Sequence, residues 1–188
     1  MSKGQDLSNF KEWLPDNLIQ SDTYALAPLY LVKSWEKCWK CGKIINVFCL
    51  ASEGFEEKDI SEDLEEENIL DKEIIEDYSI EGFTTYSNLK FVPPPLDQYL
   101  KNNWPTYCKD YSKTTKDSYY INHCSCGAKI GDFFLHNEPE GAFQPIDKTQ
   151  AREIELREIN TAMSKTAISA LPVQQDLDLI FKYAKRNF

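Results

Sequence analysis

The chain has 188 residues and a formal net charge of −10 at pH 7, with 41% hydrophobic and 28% charged residues. This composition is typical of a globular protein with a buried core, and it excludes collagen-like repeats and wholesale disorder. The apolar runs are far shorter than the roughly 20 residues of a membrane-spanning helix. The polar start lacks the basic-then-apolar order of a secretory signal, so we expect a cytoplasmic protein without a membrane partner.

The first predicted elements flank a pair of cysteines. Residues 25–32 and 44–50 are rich in leucine, β-branched and aromatic side chains, so both stretches are expected to be strands. Between them, Cys38 and Cys41 precede Gly42 in a C-x-x-C-G sequence. Two thiolates at this spacing can chelate one ion across a tight turn, and the glycine lets backbone N–H groups approach the sulfurs. This turn is therefore predicted to be half of a metal site.

Acidic residues are concentrated between Glu53 and Glu81, where fourteen carboxylates and two lysines give a net charge of −12. Apolar residues recur there mostly at spacings of three to five, which predicts an acidic helical insertion over residues 52–81. Such a charge density needs a cationic partner or a solvated face to offset its repulsion. The residues predicted to face outward and bind a partner are Glu65, Glu66, Glu67, Asp71 and Glu73.

Prolines and aromatic residues dominate residues 82–122, so this stretch is expected to be an aromatic loop region. One helix is predicted within it over residues 96–102, because Pro95 can begin a helix. Residues 119–122 are then expected to form a strand that leads into a second cysteine cluster. Residues 130–136 are the predicted strand that follows the cluster.

The second cluster places Cys124 and Cys126 before a glycine, one residue closer together than the first pair. His123 lies three residues before Cys126 and keeps the usual ligand spacing. Zinc accepts four sulfurs, or three sulfurs and one imidazole, and we favour Cys124 over His123 because thiolates bind zinc more strongly. Cys49 and Cys108 are predicted to be a buried core thiol and a free thiol. The predicted ligands of one structural Zn²⁺ are therefore Cys38, Cys41, Cys124 and Cys126.

The last part of the chain is predicted to contain strands over residues 154–159 and 166–170 and a helix that begins at Pro172. Residues 1–188 are thus expected to form a single domain of the α+β class. Its predicted parts are a β-rich zinc-ribbon core with halves at 23–50 and 118–147, an acidic helical insertion at 52–81 and a C-terminal helix at 172–188.

Both cysteine clusters end in C-G, and the second continues as C-G-A-x-x-G-D-F-F-L-H, followed by E-P-x-G-A-F. In these two blocks, about 60 residues in all, the chain resembles small bacterial zinc-ribbon-containing proteins of uncharacterised function. The resemblance implies that Cys38 and Cys41 share one ion with Cys124 and Cys126, and it implies no reaction. The shortened second cluster departs from the usual spacing.

Catalytic signatures are missing from the chain, including a phosphate-binding loop, a nucleophile elbow and a zinc-protease motif. The H-x-E spacing that begins at His136 comes after the cysteines, which does not fit a zinc deaminase. Four thiolate ligands would also close the zinc to substrate, so no enzyme is expected. The predicted function is a zinc-stabilised protein-binding module whose acidic segment caps a basic partner, as an immunity protein or antitoxin would cap the cleft of a nuclease toxin.

The alternative prediction is a zinc ribbon associated with nucleic acid or transcription. Basic and aromatic residues surround the first cysteine pair, a combination that is typical of nucleic-acid binding. The net acidity argues against tight binding to phosphate backbones, because such affinity comes from lysine and arginine. A third hypothesis is a metalloenzyme with an open zinc position. The residues that support the nucleic-acid alternative are Lys33, Trp35, Lys37, Trp39, Lys40 and Lys43.

Overall fold

The computed structural model describes residues 23–58, 77–161, 163–174 and 178–186. Of these residues, 52% are in strands and 18% are in helices, so the fold is mostly β. The prediction of the α+β class is therefore wrong, because stretches expected to be helical or irregular pair as strands. No helix within the described ranges is long and apolar enough to cross a membrane.

Ten strands and four short helices follow one another along the described chain. In order they are β1 (Thr23–Leu26), β2 (Leu29–Lys37), β3 (Ile44–Lys58), β4 (Asp77–Phe91), α1 (Pro94–Asn103), β5 (Tyr107–Ser112), β6 (Asp117–His123), β7 (Lys129–Ile130), α2 (Asp132–His136), α3 (Lys148–Ala151), β8 (Glu155–Ile159), β9 (Lys165–Val173), α4 (Asp178–Tyr183) and β10 (Lys185–Arg186).

Seven strands form one sheet in the order β1-β9-β4-β3-β2-β8-β10. Because β1 also pairs with β3, the strands β1, β9, β4 and β3 close into a four-stranded barrel, and β2, β8 and β10 extend from it. Every pairing in this sheet is antiparallel except that of β8 with β10. The strands β5, β6 and β7 form a separate antiparallel sheet.

The hairpin of β2 and β3 separates two hydrophobic cores. Side chains alternate between the faces of a strand, so Tyr30 and Val32 enter the first core while Leu29 and Leu31 enter the second. The first core also contains cysteines of both predicted metal half-sites and side chains from α2 and α4. The second core packs α1 and the three-stranded sheet against the barrel. Both cysteine clusters are therefore anchored in the same core.

Strands β3 and β4 extend through both ends of the predicted acidic helical insertion. Lys58 at the end of β3 lies opposite Asp77 at the start of β4, and Phe55 lies opposite Ile80. The predicted helix is therefore wrong at residues 52–58 and 77–81, where apolar residues meet across the hairpin instead of along a helix face. Residues 59–76 lie outside the described residues. The predicted partner-binding residues among them are Glu65, Glu66, Glu67, Asp71 and Glu73.

The predicted C-terminal helix over residues 172–188 is also wrong for half of its described length. Pro172 and Val173 end strand β9, where they pair with β4. Proline has no backbone N–H to donate, and it is compatible with a strand at residue 172 because β1 pairs with β9 only as far as Ile168. No hydrogen bond to β1 is therefore lost at Pro172. Helix α4 is six residues long, and buried Ile180 anchors it in the first core.

Three further stretches differ from their predictions. Residues 83–91 and 107–112, expected to be loops, belong to β4 and β5, and residues 132–136, expected to be a strand, form α2. In α2, Asp132 and Leu135 are buried while Phe133 and Phe134 are exposed, which is the spacing of a helix with one buried face. The predicted strands at residues 119–122, 154–159 and 166–170 and the predicted helix at 96–102 are confirmed, with bounds that differ by up to three residues.

Candidate metal centre

Four cysteines from two separate hairpins meet at one point. Cys38 and Cys41 lie in the turn between β2 and β3, and Cys124 and Cys126 lie in the turn between β6 and β7. The Cys38 and Cys126 sulfurs are 3.7 Å apart, the Cys41 and Cys124 sulfurs are 3.6 Å apart, and all four lie within 4.8 Å of one another. Metal–sulfur bonds of about 2.3 Å in a tetrahedron place sulfurs about 3.8 Å apart. The cluster can therefore hold one metal ion.

The two turns have the same hydrogen-bond pattern although the second is one residue shorter. In the first turn the Cys38 N–H donates to the Lys43 carbonyl and the Gly42 N–H donates to the Cys38 carbonyl, both at 2.8 Å. In the second, the Cys124 N–H donates to Ala128 at 2.9 Å and the Gly127 N–H to Cys124 at 2.8 Å. A C-x-C sequence thus closes the same kind of turn as C-x-x-C.

A glycine is required at the end of each turn. Gly42 has a φ of 72° and Gly127 a φ of 81°, which is the left-handed region that residues with a Cβ rarely adopt. A side chain at Gly127 would meet no neighbour within 4 Å, so the backbone conformation and not crowding calls for glycine there. The C-G ending of both clusters therefore has a conformational cause.

The cysteines differ in exposure and in their hydrogen bonds. Cys38 and Cys124 are buried, Cys126 is half-buried and Cys41 is exposed. Backbone N–H groups of Cys41 and Lys40 directed at the Cys38 sulfur lower the pKa of Cys38. The Lys43 N–H favours the Cys41 thiolate, but desolvation and the neighbouring sulfurs outweigh it and raise the pKa of Cys41. A metal ion that binds all four sulfurs would therefore release protons.

His123, the alternative fourth ligand, lies next to Cys124 in the chain but outside the cluster. Its Nε2 is 3.1 Å from the Asp110 carboxylate, and its Nδ1 is 3.2 Å from the Thr106 carbonyl oxygen. Asp110 also accepts from Lys129 at 2.7 Å, and the hydrogen bonds from Lys129 and His123 hold the pKa of Asp110 well below its usual range. The imidazole therefore links β5, β6 and β7 instead of facing the four sulfurs.

Neither of the remaining cysteines belongs to the cluster. Cys49 is buried in the first core, and burial raises the pKa of its thiol. The Cys108 sulfur lies 3.8 Å from His123 Nδ1, and the other ring nitrogen of His123 contacts the Asp110 carboxylate. This arrangement of a thiol, an imidazole and a carboxylate resembles a nucleophilic triad. However, His123 Nδ1 is closer to the Thr106 carbonyl, and burial raises the pKa of Cys108, so the thiol stays protonated and a weak nucleophile.

Hydrogen bonds between the two turns also hold the cluster together. The Trp39 indole N–H donates to the Lys129 carbonyl at 2.9 Å, and the Lys40 ammonium donates to the Cys126 carbonyl at 3.5 Å. Each bond runs from the first turn to the second hairpin. The cysteines are therefore brought together by protein contacts as well as by the chemistry of a shared ion.

Asn122 fastens the three-stranded sheet to β3 close to the cluster. Its buried side-chain amide accepts from the Phe48 N–H at 2.8 Å and donates to the Phe48 carbonyl at 2.9 Å. The ladder between β3 and β4 includes Leu50 and later residues of β3 but does not reach Phe48. The Asn122 side chain thus makes with Phe48 the two backbone hydrogen bonds that a neighbouring strand would otherwise make. No sequence motif marks this role, because it depends on how the two sheets pack.

A groove of about 830 Å³ lies beside the second turn, between the outer face of β2, β3 and β8 and the loop before β5. Lys33 and Glu155 form an ion pair of 3.0 Å on its wall. The Arg157 guanidinium lies 5.7 Å from the centre of the Trp104 ring. His123 also lines the groove. The groove therefore adjoins the metal centre and combines apolar, aromatic and cationic surfaces.

No protein-family model, curated protein or solved structure matches the chain.

Proposed function

We propose that the four-cysteine cluster binds one structural Zn²⁺ and that the protein is a non-enzymatic binding module. The observation that carries this proposal is the number and spacing of the sulfurs. Four sulfurs at tetrahedral distances fill every coordination position of zinc and leave none for a substrate. The cluster needs reduced thiols, which supports a reducing compartment such as the cytoplasm.

The proposed role of the ion is to connect parts of the fold. Its ligands come from the β2–β3 hairpin of the large sheet and the β6–β7 hairpin of the small sheet. Cys38 and Cys124 are part of the first core, so the ion would join both hairpins at the edge of that core. Structural zinc sites contribute directly to folding free energy, which fits this position.

The proposed binding surface is the acidic segment between β3 and β4. Residues 59–76 contain nine carboxylates and one lysine, and the strands on both sides of them pair at Lys58 and Asp77. The metal centre is at the other end of β3, which spans 15 residues or about 46 Å along the strand. This arrangement supports a basic protein as partner, of the kind an immunity protein or antitoxin binds, because complementary charge speeds association.

Elemental analysis of protein purified without added metal tests the zinc proposal, with about one equivalent of zinc expected. Iron also suits four thiolates, and finding iron instead would contradict the choice of metal. His123→Ala and Cys124→Ser should be compared directly. We expect only the Cys124 variant to lose the ion, and the opposite result would exclude the four-cysteine ligand set.

The partner proposal is tested by charge reversal. The triple change of Glu65, Glu66 and Glu67 to Lys should slow association with a basic protein captured from cells and leave zinc content unchanged. The same reversal at three exposed residues elsewhere, Glu140, Glu153 and Glu158, is the matched control. Equal association rates for the two triple variants would contradict the role of the acidic segment.

A further inference from the structure

The groove beside the metal centre has the chemistry of a binding site. Its apolar surface includes Phe48 and Trp104, and Ile44 lines it while 61% exposed. Its only carboxylate among the described lining residues is Glu155, which is already paired with Lys33. Arg157 is exposed and makes no ion pair with the described residues, so it gives the groove a positive charge.

Neutral polar groups line the same groove. Asn46 offers an amide donor and acceptor, and Asn103, whose side-chain N–H donates to the Tyr99 carbonyl at 2.8 Å, offers its carbonyl oxygen. Thr106 and Ser125 offer hydroxyl groups, and all four residues are exposed. Amides and hydroxyls of this kind can bond to the edges of unpaired bases. The groove therefore combines polar groups for base edges with apolar surfaces that can contact base faces.

The exposed surface continues from the groove onto the turn that contains Cys38 and Cys41. Trp39 is 73% exposed, and its indole N–H is already bonded to the Lys129 carbonyl. An anchored ring with open faces is a suitable platform for stacking a base. Two exposed lysines lie on the same turn, Lys40 and Lys43, and a third, Lys37, ends β2 next to it.

The described acidic end of β3 lies far along the strand from this positive surface. Phe48 in the groove and Lys58 at the end of β3 are separated along the strand by about 33 Å, at about 3.3 Å per residue. The Debye length at physiological salt is about 8 Å. The carboxylates near this end of β3, Glu56 and Glu57, are therefore several Debye lengths along the strand from Phe48.

We infer that the groove and the first cysteine turn form a binding surface for single-stranded nucleic acid. Trp39 stacks on a base, and Arg157 and the lysines of the turn contact phosphates. The inference rests on the groove and the exposed turn and not on the proposed acidic binding surface. A competing role for the lysines is to offset the negative charge of a metal ion bound by four thiolates, so the experiment separates the two roles.

The test measures the fluorescence anisotropy of a labelled oligothymidylate of about twelve nucleotides with the zinc-loaded full chain, between about 50 and 200 mM salt. We expect binding whose logarithmic salt slope is near −3, since each of four phosphate contacts contributes about −0.7. Trp39→Ala should weaken binding about tenfold, and Trp39→Phe should restore most of it. Tyr111→Ala is the matched control, because Tyr111 is 50% exposed on β5 outside the groove.

Three outcomes would overturn the inference. One is the absence of binding at the lowest salt, and another is equal displacement of the oligonucleotide by a polyglutamate peptide, which would indicate an acidic protein partner. The third is that Arg157→Ala leaves affinity unchanged while Lys43→Ala lowers only the affinity for zinc, which would assign the lysines to charge compensation. Arg157 is on β8 and belongs to neither cysteine turn, so its variant remains informative if Trp39→Ala loses zinc.

Discussion

Two buried titratable residues on α2 predict an unusual dependence of stability on pH. Asp132 is 3% exposed and accepts one hydrogen bond, from the Asn88 N–H at 2.7 Å. Burial raises the pKa of Asp132 from 3.8 to about 7. His136 is 1% exposed, and burial lowers its pKa from 6.5 to about 3.

The two residues affect stability in opposite directions. Between pH 3.8 and about 7 the folded protein retains the Asp132 proton that the unfolded chain releases, so this carboxyl lowers the free energy of unfolding as the pH rises. Between about pH 3 and 6.5 the unfolded chain protonates the histidine and the folded protein does not, so His136 raises the free energy of unfolding as the pH rises. Where the windows overlap, the contributions nearly cancel.

Asp132→Asn removes one of these contributions and preserves an acceptor for the Asn88 N–H. The free energy of unfolding of the variant minus that of the wild-type protein should increase by about 2 kcal/mol as the pH rises from 5.5 to 8. The increase arises over the roughly 1.5 pH units of this range that lie below the Asp132 pKa of about 7. Urea unfolding of the metal-loaded protein at several pH values measures this difference, and subtracting the wild-type curve removes the contributions of unaltered groups.

Asp178→Asn is the control for this experiment, because the Asp178 side chain is 78% exposed. This variant makes the same chemical change at an exposed position. If the Asp132→Asn difference varied with pH no more than the Asp178→Asn difference, the Asp132 carboxyl would be ionised in the folded protein at pH 5.5, and the argument from burial would be refuted.

Three further changes test the metal centre and its surroundings. Cys38→Ser should lose the proposed zinc while Cys49→Ser retains it, as elemental analysis would show; loss of zinc from both would contradict the ligand set. Asn122→Ala should lower the free energy of unfolding by about 2 to 5 kcal/mol, because it leaves the Phe48 N–H and carbonyl without partners, and a cost below 1 kcal/mol would contradict this. Gly141→Ala should destabilise by about 1 to 3 kcal/mol in thermal unfolding, since a Cβ would lie 2.5 Å from a carbonyl oxygen; Gly131→Ala, with no neighbour within 4 Å, is the control, and equal melting of the two variants would argue against crowding.

The parts of the structure that the sequence predicts are those set by local signals. The cysteine spacing and the glycines that follow it depend on a few adjacent residues, and the four cysteines lie together in the structure. The second turn is one residue shorter than the first, and spacing alone does not predict the hydrogen bond from the Cys124 N–H to the Ala128 carbonyl that closes it. The partners of His123 depend on the register of β5 with β6, which no short motif reports.

Most of the wrong predictions concern strand pairing between distant segments. Pro93 and its neighbours suggested a loop, yet β4 continues to Phe91 because it pairs with both β3 and β9. Spacings of three to five in the acidic stretch suggested a helix, yet its two ends pair across a hairpin. Propensity and periodicity are weak guides where tertiary pairing decides the conformation.

The arrangement of the two sheets predicts what removal of the proposed zinc would do. The barrel strands β1, β9, β4 and β3 pair with one another without any cysteine ligand, whereas the three-stranded sheet is held by the cluster, Asn122 and the second core. Chelation should therefore open β5, β6 and β7 locally and leave the barrel folded. Hydrogen exchange should show faster exchange at Tyr120 than at Leu50, and an equal loss of protection at both would indicate that the metal centre stabilises the whole fold.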